Sequence, residues 1–462
     1  MKTIFPAILL IAATGCLPVG AATLVWDPSS SASTANGAAG AWDTASSQWY
    51  NAASGTDGAW SSSASNADIA KFVDNTTTSY AVTIGSGTTL YAGGLSFQAN
   101  SSGGYTLGAS TSNIYLNSGT IDMTGVSNNG TVTHIASVLQ GTSGLAITGF
   151  SASSTRLFLD TAATYTGATS FSKVTVSINF TANVLPASTS FSMTSATYLL
   201  NKRSQSVDSL AGDANSTINN AGASSVSTLT VGSGTTTAST TYAGSLTDTS
   251  TTAALALSVG GGRLALTNAT GLTYHGATTV SGGALNLGAS LTNTASVTVS
   301  GGTLLSSISN VTLGTGLVKM TSGGITPGGV GTVGTLTLAA NQNFTTTGGT
   351  LNFDLGTALG KDQIAGSGTG VFSLANTTLS LNLLSDFDYN STYAILNGFT
   401  SGTVSNLTIT GYDTTDYLAT LGSGGVLSFS ALAVPEPGTN LTLAAGVLAL
   451  LGGALRRRAI QA

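Results

Sequence analysis

A unit of two glycines followed by alternating apolar residues recurs along the second half of the chain and constrains its fold more than any other feature. The clearest copies run over residues 261–266 and 282–287, with the pattern Gly-Gly-x-Leu-x-Leu. Further copies begin at Gly301, Gly323, Gly348 and Gly424. The first five pairs recur at intervals of roughly 20 to 25 residues, which is typical of a protein built from stacked repeats.

The alternation within each unit predicts a short β-strand with one buried face. Glycine pairs beside the strand allow the positive-φ backbone that a sharp corner needs. A unit of about 20 residues would complete one three-sided coil, in which every strand pairs with the strand of the next coil. We therefore expect an all-β fold with a parallel β-solenoid over residues 76–433. An antiparallel sandwich is the alternative, and the glycine-poor residues 185–201 would suit it.

A second unit, Tyr-x-Gly, begins at Tyr165, Tyr242 and Tyr274. Its third copy leads directly into the second glycine pair, and the composite covers residues 274–288. This composite resembles the autotransporter-associated β-strand repeat of bacterial passenger domains. The resemblance implies a right-handed parallel β-helix (solenoid), and its strongest copies cover residues 242–360.

All four tryptophans lie near the start of the chain, at Trp26, Trp42, Trp49 and Trp60. We interpret them as part of an N-terminal aromatic cap, within residues 23–75, that seals the first turn of the solenoid. The competing interpretation is a platform for sugar rings, because large aromatic faces suit such ligands. A similar layout of tryptophans precedes the repeats in the passenger proteins that the chain resembles.

Residues 1–22 have the layout of a secretory signal peptide. A positive start at Lys2 precedes an apolar stretch, and small residues then allow cleavage after Ala21 or Ala22. The apolar stretch is too short to span a membrane as a helix. Cys16 follows Thr-Gly in a sequence loosely resembling a lipoprotein cleavage box. Lipidation of Cys16 is therefore the alternative to its removal with the signal peptide.

Three unlike elements follow one another in residues 434–462. The triplet Pro435-Glu436-Pro437 comes first, an uncharged apolar run covers residues 441–455, and Arg456-Arg457-Arg458 comes last. Fifteen helical residues would span about 22 Å, which is less than the ~30 Å hydrocarbon core of a bilayer. We expect a C-terminal hydrophobic helix that holds the chain in the membrane until it is cut. A permanent anchor helix is the alternative.

This tail resembles the PEP-CTERM sorting signal of Gram-negative bacteria. Pro435, Glu436 and Pro437 match the triplet that names the signal, and Arg456 to Arg458 match its basic end. The resemblance implies recognition and cleavage by an exosortase, a membrane cysteine transpeptidase-like enzyme. It also implies a place at the cell surface or outside the cell, and it says nothing about the body of the chain.

The composition excludes several classes of function. Residues 23–433 hold eight basic and sixteen acidic side chains, which leaves a net charge of −8. Such a surface does not attract nucleic acid or anionic membranes electrostatically. With two histidines and one cysteine, the chain has little material for a zinc, iron–sulfur or haem site. We therefore expect no metal and no cofactor.

Catalysis needs titratable groups that converge in one place. His134 has no partner nearby in the sequence, and His275 occupies the variable place of a Tyr-x-Gly unit. The carboxylates that could serve a polysaccharide-acting enzyme are Asp354 with Lys361 and Asp362, Asp386 with Asp388, and Asp413 with Asp416. We interpret these as turn residues and expect no enzymatic activity. Calcium binding near Asp386 and Asp388 is the alternative for that segment.

These patterns predict an exported, non-catalytic, structural or adhesin-like protein of the cell surface or extracellular matrix. An exosortase would process it, and extracellular polysaccharide is a candidate partner for its hydroxyl-rich surface. An ice- or crystalline-surface-binding solenoid is the alternative, since Thr-x-Thr pairs such as Thr335 with Thr337 and Thr408 with Thr410 could align on one face. A polysaccharide-acting β-helix enzyme is the lesser alternative.

Overall fold

The computed structural model describes residues 21–29, 37–127, 131–151, 155–222, 224–233, 237–306, 310–329 and 331–433. These residues form an all-β, parallel β-solenoid of at least 12 turns and contain no helix. The prediction of a parallel solenoid is confirmed. The antiparallel sandwich is wrong for residues 185–201 as well, because their strands pair in parallel with the turns on either side.

Forty-two strands, numbered in chain order, make up the described part of the chain. The first fourteen are β1 (Thr23–Trp26), β2 (Gly40–Ala41), β3 (Ser47–Asn51), β4 (Thr56–Ala59), β5 (Ile69–Asp74), β6 (Ser79–Thr83), β7 (Thr89–Ala99), β8 (Gly104–Leu107), β9 (Asn113–Val126), β10 (Val132–Ile135), β11 (Val138–Gln140), β12 (Leu145–Gly149), β13 (Arg156–Leu159) and β14 (Thr169–Ser172). The next fourteen are β15 (Thr175–Ile178), β16 (Ser190–Thr194), β17 (Thr197–Leu199), β18 (Gln205–Val207), β19 (Ser209–Gly212), β20 (Thr217–Asn220), β21 (Ser227–Val231), β22 (Ser239–Tyr242), β23 (Ser245–Asp248), β24 (Leu255–Val259), β25 (Arg263–Leu266), β26 (Thr278–Val280), β27 (Ala284–Leu287) and β28 (Val297–Ser306). The last fourteen are β29 (Asn310–Leu313), β30 (Val318–Thr326), β31 (Thr335–Leu338), β32 (Phe344–Thr346), β33 (Thr350–Leu355), β34 (Gln363–Ala365), β35 (Val371–Ala375), β36 (Thr378–Leu383), β37 (Tyr393–Ala394), β38 (Leu396–Asn397), β39 (Ser401–Ser405), β40 (Thr408–Thr410), β41 (Tyr417–Leu421) and β42 (Val426–Ala431).

Each turn of the solenoid has three sides, which we call the first, second and third faces in the order in which the chain meets them. The first face contains strands β7, β9, β11, β18, β21, β24, β26, β28, β30, β32, β35 and β39. The second face contains β5, β7, β9, β12, β14, β16, β19, β22, β25, β27, β28, β30, β33, β36 and β40. The third face contains β2, β6, β8, β10, β13, β15, β17, β20 and β23, and then β29, β31, β34 and β38. The long strands β7, β9, β28 and β30 continue from the first face onto the second.

The length of a turn changes along the second face. The step from β27 to β28, where Ala284 faces Thr303, is slightly shorter than the steps on either side of it. The last two steps on this face are clearly longer, because Thr350 faces Thr378 and Thr378 faces Thr408. The sequence spacing of the glycine pairs therefore reports the middle turns and underestimates the later ones.

Inward-facing side chains form continuous columns through the core. On the second face, the register stacks Leu264, Leu285, Leu304, Ile325, Leu351 and Leu379, one from each successive turn. All six are at most 1% exposed. Full burial of a side chain of this size stabilises a fold by about 1.5–3 kcal/mol. Each turn therefore depends on its two neighbours for its hydrophobic contacts.

Five of the six glycine pairs stack at the corner between the first and second faces. A Cβ atom at Gly323 would overlap the carbonyl oxygen of Gly302, and one at Gly302 would lie 2.6 Å from that of Gly282. Gly323 also has a φ of 81°, which L-residues rarely adopt. The corner is thus too tight for side chains. The sixth pair, Gly424-Gly425, lies instead in the turn between the antiparallel strands β41 and β42.

The three Tyr-x-Gly units do not repeat in phase with the solenoid. Tyr165 ends the first face of its turn, Tyr242 ends the second, and Tyr274 ends the third. Each ring is buried, and the hydroxyls of Tyr165 and Tyr274 bond the hydroxyls of Thr169 and Thr278 at the start of the next face. The hydroxyl of Tyr242 donates instead to the carbonyl of Ser245. The unit thus occurs at all three corners, where its buried phenol bonds a polar group at the start of the next face.

The N-terminal end is closed by antiparallel strands that surround the tryptophans. Strand β1 pairs antiparallel with β3, β3 pairs antiparallel with β4, and β1 pairs in parallel with β5, the first strand of the regular second face. The ring of Trp49 lies 5.1 Å from Trp26, 5.1 Å from Trp42 and 4.6 Å from Trp60. Phe72 of β5 joins this cluster to the core of the next turn.

The C-terminal end is covered by a three-stranded antiparallel sheet of β37, β42 and β41. The sequence pattern had placed residues up to 433 in the repeats. Strands β39 and β40 form the last parallel pairings, with β35 and β36, and no described strand pairs with their outer edges. Their inward side chains Val404 and Ile409 are only partly buried. The final turn is therefore less completely covered than the first.

Candidate functional site

The residues predicted to direct sorting are placed only in part. Cys16 and the motif residues Pro435, Glu436, Pro437, Arg456, Arg457 and Arg458 lie outside the described residues, as does the apolar run predicted to be a helix. The predicted cleavage residues Ala21 and Ala22 are described. The amide of Ala22 donates to a carboxylate oxygen of Asp68 at 2.8 Å, and its carbonyl accepts from Ile69. Cleavage after Ala21 would keep this contact, and cleavage after Ala22 would remove it.

His134 has a close partner that sequence inspection missed. Its Nδ1 lies 2.9 Å from Oδ2 of Asp160, 26 residues away, and its ring stacks on Phe158 with centroids 4.6 Å apart. Strands β10 and β13 are neighbours on the third face, which places the two residues one turn apart. The Asp160 side chain is 8% exposed, and its Oδ1 has no hydrogen-bond partner among the described atoms.

His275 forms the second histidine–aspartate pair. Its Nδ1 lies 2.6 Å from Oδ1 of Asp248, whose side chain is completely buried. The other carboxylate oxygen accepts the amides of His275 and Leu255. Asp248 is thus fully bonded to the corner that follows β23, which suits a structural role. A separation near the length of one turn was the only signal in the sequence that could have identified either pair.

The candidate carboxylates Asp354 and Asp362 do come together, but inside the protein. Asp362 accepts the amides of Gly334 at 2.7 Å and of Asp354 at 3.0 Å. Asp354 accepts the side-chain amide of Asn382, and its other oxygen is buried without a partner. Burial raises the pKa of Asp362 to about 7, an effect that its two backbone hydrogen bonds oppose and the nearby Asp354 carboxylate reinforces. Both side chains are at most 3% exposed, which leaves no open cleft around them.

Most of the other candidate carboxylates bond turns, and Asp386 bonds one that lies 27 to 28 residues earlier in the chain. Asp386 accepts the amides of Ala358 and Leu359, and the Leu359 amide is the main cause of its lowered pKa. Asp388 accepts the amide of Asn390, and this bond lowers the pKa of Asp388. Asp413 accepts the hydroxyl and the amide of Thr415, and these bonds lower the pKa of Asp413. For Asp416, the structure gives a backbone contact, in which its carbonyl accepts the amide of Leu432. Among the described residues, no group of three or more His, Cys, Asp or Glu could hold a metal ion.

The tryptophans do not form an exposed platform. All four are at most 1% exposed, so neither face of any ring is open to a sugar. Trp26 Nε1 donates to the carbonyl of Ala38 at 2.9 Å, and Trp60 Nε1 donates to that of Tyr91 at 3.0 Å. Nε1 of Trp42 and Nε1 of Trp49 are buried without a hydrogen-bond partner among the described atoms. All four rings are therefore packed as core side chains, and two of them carry their polar atom to a backbone acceptor.

The outward positions of the last turns carry hydroxyl and amide side chains in register. On the second face, Thr350, Thr378 and Thr408 form one column, and Asn352, Ser380 and Thr410 form the next. The Thr-x-Thr pair at Thr335 and Thr337 lies on the third face, in β31. The two Thr-x-Thr pairs expected to align on one face are therefore on different faces. Regular threonine columns exist, but they cover only part of the rod.

None of the described residues forms a helix that could cross a membrane. The sequence matches no family model, and no curated protein is detectably similar to it.

Proposed function

We propose that this chain is an exported, non-catalytic structural or adhesin-like protein of a Gram-negative cell surface or extracellular matrix. The observation that carries the proposal is its architecture, a long parallel solenoid with aromatic clusters at both ends and hydroxyl-bearing side chains in outward columns. Such a rod presents many weak hydrogen-bonding groups over a long surface. This arrangement suits adhesion or packing with neighbouring polymers.

The proposal includes a sorting step at the C-terminal tail. Residues 434–462 would form a hydrophobic helix that contacts the membrane until an exosortase-type enzyme recognises Pro435, Glu436 and Pro437 and cuts the chain. The signal peptide at residues 1–22 would direct export. The resemblance to autotransporter-associated repeats supports a right-handed winding of the solenoid, within a body of residues 76–433 preceded by a cap of residues 23–75.

Deletion of residues 435–462 tests the sorting step. We expect the full chain to reach the cell surface or medium and to lose its tail, and we expect the truncated chain to stay in the periplasm. Fractionation with immunoblotting would measure both. Replacement of Pro435, Glu436 and Pro437 by alanine should act like the deletion, whereas the matched change of Thr439 to alanine should not. Unchanged surface display of the truncated chain would contradict the proposal.

An ice- or crystalline-surface binder is the second candidate, and the threonine column Thr350–Thr378–Thr408 is the observation that favours it. Neighbouring strands repeat every ~4.8 Å, so such a column presents hydroxyls at a regular interval. Thermal hysteresis of the full chain would test it. The polysaccharide-acting enzyme is less well supported, because most of the carboxylates proposed for it accept backbone amides within the fold.

A further inference from the structure

A cavity of about 440 Å³ runs along the corner between the third and first faces. Four successive turns line it, through Ser110, Ala136, the segment at Asp160 and the segment at Phe180. Its volume lies within the range of small-molecule pockets, roughly 300–1,000 Å³. Because each turn adds one lining segment, the cavity is elongated along the axis of the rod. A linear ligand would lie along it across several turns.

An aromatic ring stands at one end of this cavity. Phe180 is 66% exposed, although most large apolar side chains of the body lie in the core. Phenylalanine gains about 1.5–3 kcal/mol from full burial, so an exposed ring is a ready partner for an apolar surface. Phe150 is comparably exposed, at 59%, but does not line the cavity. Comparing substitutions of Phe180 and Phe150 therefore distinguishes the effect of any exposed ring from the effect of a ring that lines the cavity.

The polar groups of the cavity are mainly acceptors. Asp160 lines it and keeps one buried carboxylate oxygen without a partner, while the other bonds His134. The hydroxyls of Thr161 and Thr181 donate their single protons to the backbone carbonyls of Ala136 and Asp160, at 2.7 and 3.3 Å. Each hydroxyl then has only lone pairs left to offer. Donors from a ligand or from water would satisfy these groups.

We propose that this corner cavity binds a neutral carbohydrate chain. A sugar ring offers an apolar C–H face for the Phe180 ring and a rim of hydroxyl donors for the acceptors of Asp160, Thr161 and Thr181. None of the described lining residues is basic, so the charged group that an acidic sugar would meet in the lining is the Asp160 carboxylate. The proposal rests on the proposed function in one respect, because export is what would bring the chain to an extracellular polysaccharide.

Binding of defined oligosaccharides to the full chain tests this assignment. Cellohexaose, laminarihexaose and maltohexaose are the neutral probes, and hexagalacturonate is the acidic comparison. Saturation-transfer NMR detects contact, and titration calorimetry measures affinity. We expect at least one neutral probe to bind, Phe180→Ala to weaken it about tenfold, and Phe180→Tyr to restore it, since the stacking of one ring is worth on the order of 1 kcal/mol. Phe150→Ala is the matched control and should bind like the original chain.

Three outcomes would overturn the proposal: no binding of any neutral probe, binding of hexagalacturonate alone, or equal loss in the Phe180→Ala and Phe150→Ala variants. Circular dichroism would establish that each variant keeps its β-structure, which we expect because both rings are exposed. The result is independent of sorting. A chain that binds sugar but is displayed without its tail signal would disprove the sorting step alone, and a correctly sorted chain that binds none would disprove the cavity alone.

Discussion

The two ends of the solenoid are both closed by aromatic side chains, but to different depths. At the N-terminal end, four indole rings pack together as two edge-to-face pairs, and all are at most 1% exposed. At the C-terminal end, Phe387 and Phe429 contact one buried ring, Tyr393, and are half-buried themselves. The half-buried rings of Tyr389, Tyr412 and Tyr417 extend this cluster outward. The N-terminal cluster is a sealed core, and the C-terminal cluster is a cover with one face in water. The number of aromatic residues alone does not determine how deeply a cluster is buried.

The largest expected effect tests this difference directly. Trp49 contacts three other indoles and Phe72, so Trp49→Ala should lower the free energy of unfolding by about 3–5 kcal/mol. Phe429→Ala, in the half-buried cluster, should cost about half as much. Urea unfolding followed by circular dichroism measures both. Equal losses at the two ends would show that the C-terminal cover is as well packed as the N-terminal core.

The second expected effect depends on pH and lies toward the C-terminal end. The pKa of Asp362 is about 7 in the folded chain and near 4 in an unfolded one. At a pH between these two values, the Asp362 carboxyl is deprotonated in the unfolded chain and protonated in the folded chain. The stability contributed by this group is therefore complete below pH 4 and is lost as the pH rises to 7, by about 2–4 kcal/mol.

Urea unfolding at pH 4, 5.5 and 7 measures this dependence. Asp362→Asn should flatten the decrease between pH 4 and 7, even if it lowers stability at every pH. Asp413→Asn is the matched control, because the exposed Asp413 has a lowered pKa and titrates below this window. If Asp362→Asn left the decrease in stability between pH 4 and 7 unchanged, other titratable groups would be its cause.

A smaller effect is expected at the glycine corner between the first and second faces. Gly323→Ala would place a methyl group against the carbonyl oxygen of Gly302 at a positive φ, and should cost about 1–3 kcal/mol. Gly424→Ala, in the C-terminal hairpin, has open space around its Cβ position and should be neutral. Thermal unfolding of both variants measures the difference. A destabilised Gly424→Ala would contradict the open geometry of that hairpin.

The smallest expected effect is at the surface of the C-terminal cover. Tyr417 stacks on Tyr389 with centroids 3.9 Å apart and an interplanar angle of 6°. Tyr417→Ala should cost about 0.5–1.5 kcal/mol, the usual worth of an aromatic pair. Tyr417→Phe keeps the ring and should be close to neutral in the same thermal measurement. A cost from Tyr417→Phe equal to that of Tyr417→Ala would assign the effect to the hydroxyl.

The solenoid was predictable because its signal is local. A glycine pair and the alternating residues after it lie within six positions, and their recurrence reports the length of a turn. The C-terminal sheet was not predictable from the same signal. Gly424-Gly425 is followed by the same alternation as the true repeats, yet its strand pairs antiparallel with β41. A strand pattern gives the buried side of a strand and does not give the direction of its partner.

The side-chain pairs of the candidate sites depend on register, which the sequence does not state. His134 and Asp160 are 26 residues apart, and His275 and Asp248 are 27 apart. Even on one face, the length of a turn varies, from the short step between β27 and β28 to the long step between β36 and β40. No fixed interval in the sequence could therefore have aligned each histidine with its aspartate. The cavity at Phe180 was hidden for the same reason, because its lining comes from four different turns.

Turn length is nearly constant from β25 to β30, and it is larger near the C-terminus. From β25 to β30, successive strands are offset by nearly equal intervals and carry leucine or isoleucine at equivalent inward places. These units are close to interchangeable, so gene duplication or deletion could lengthen or shorten the rod there while preserving the joints. The units from β33 to β40 are longer than those from β25 to β30, so exchanging one for the other would change the length of a turn.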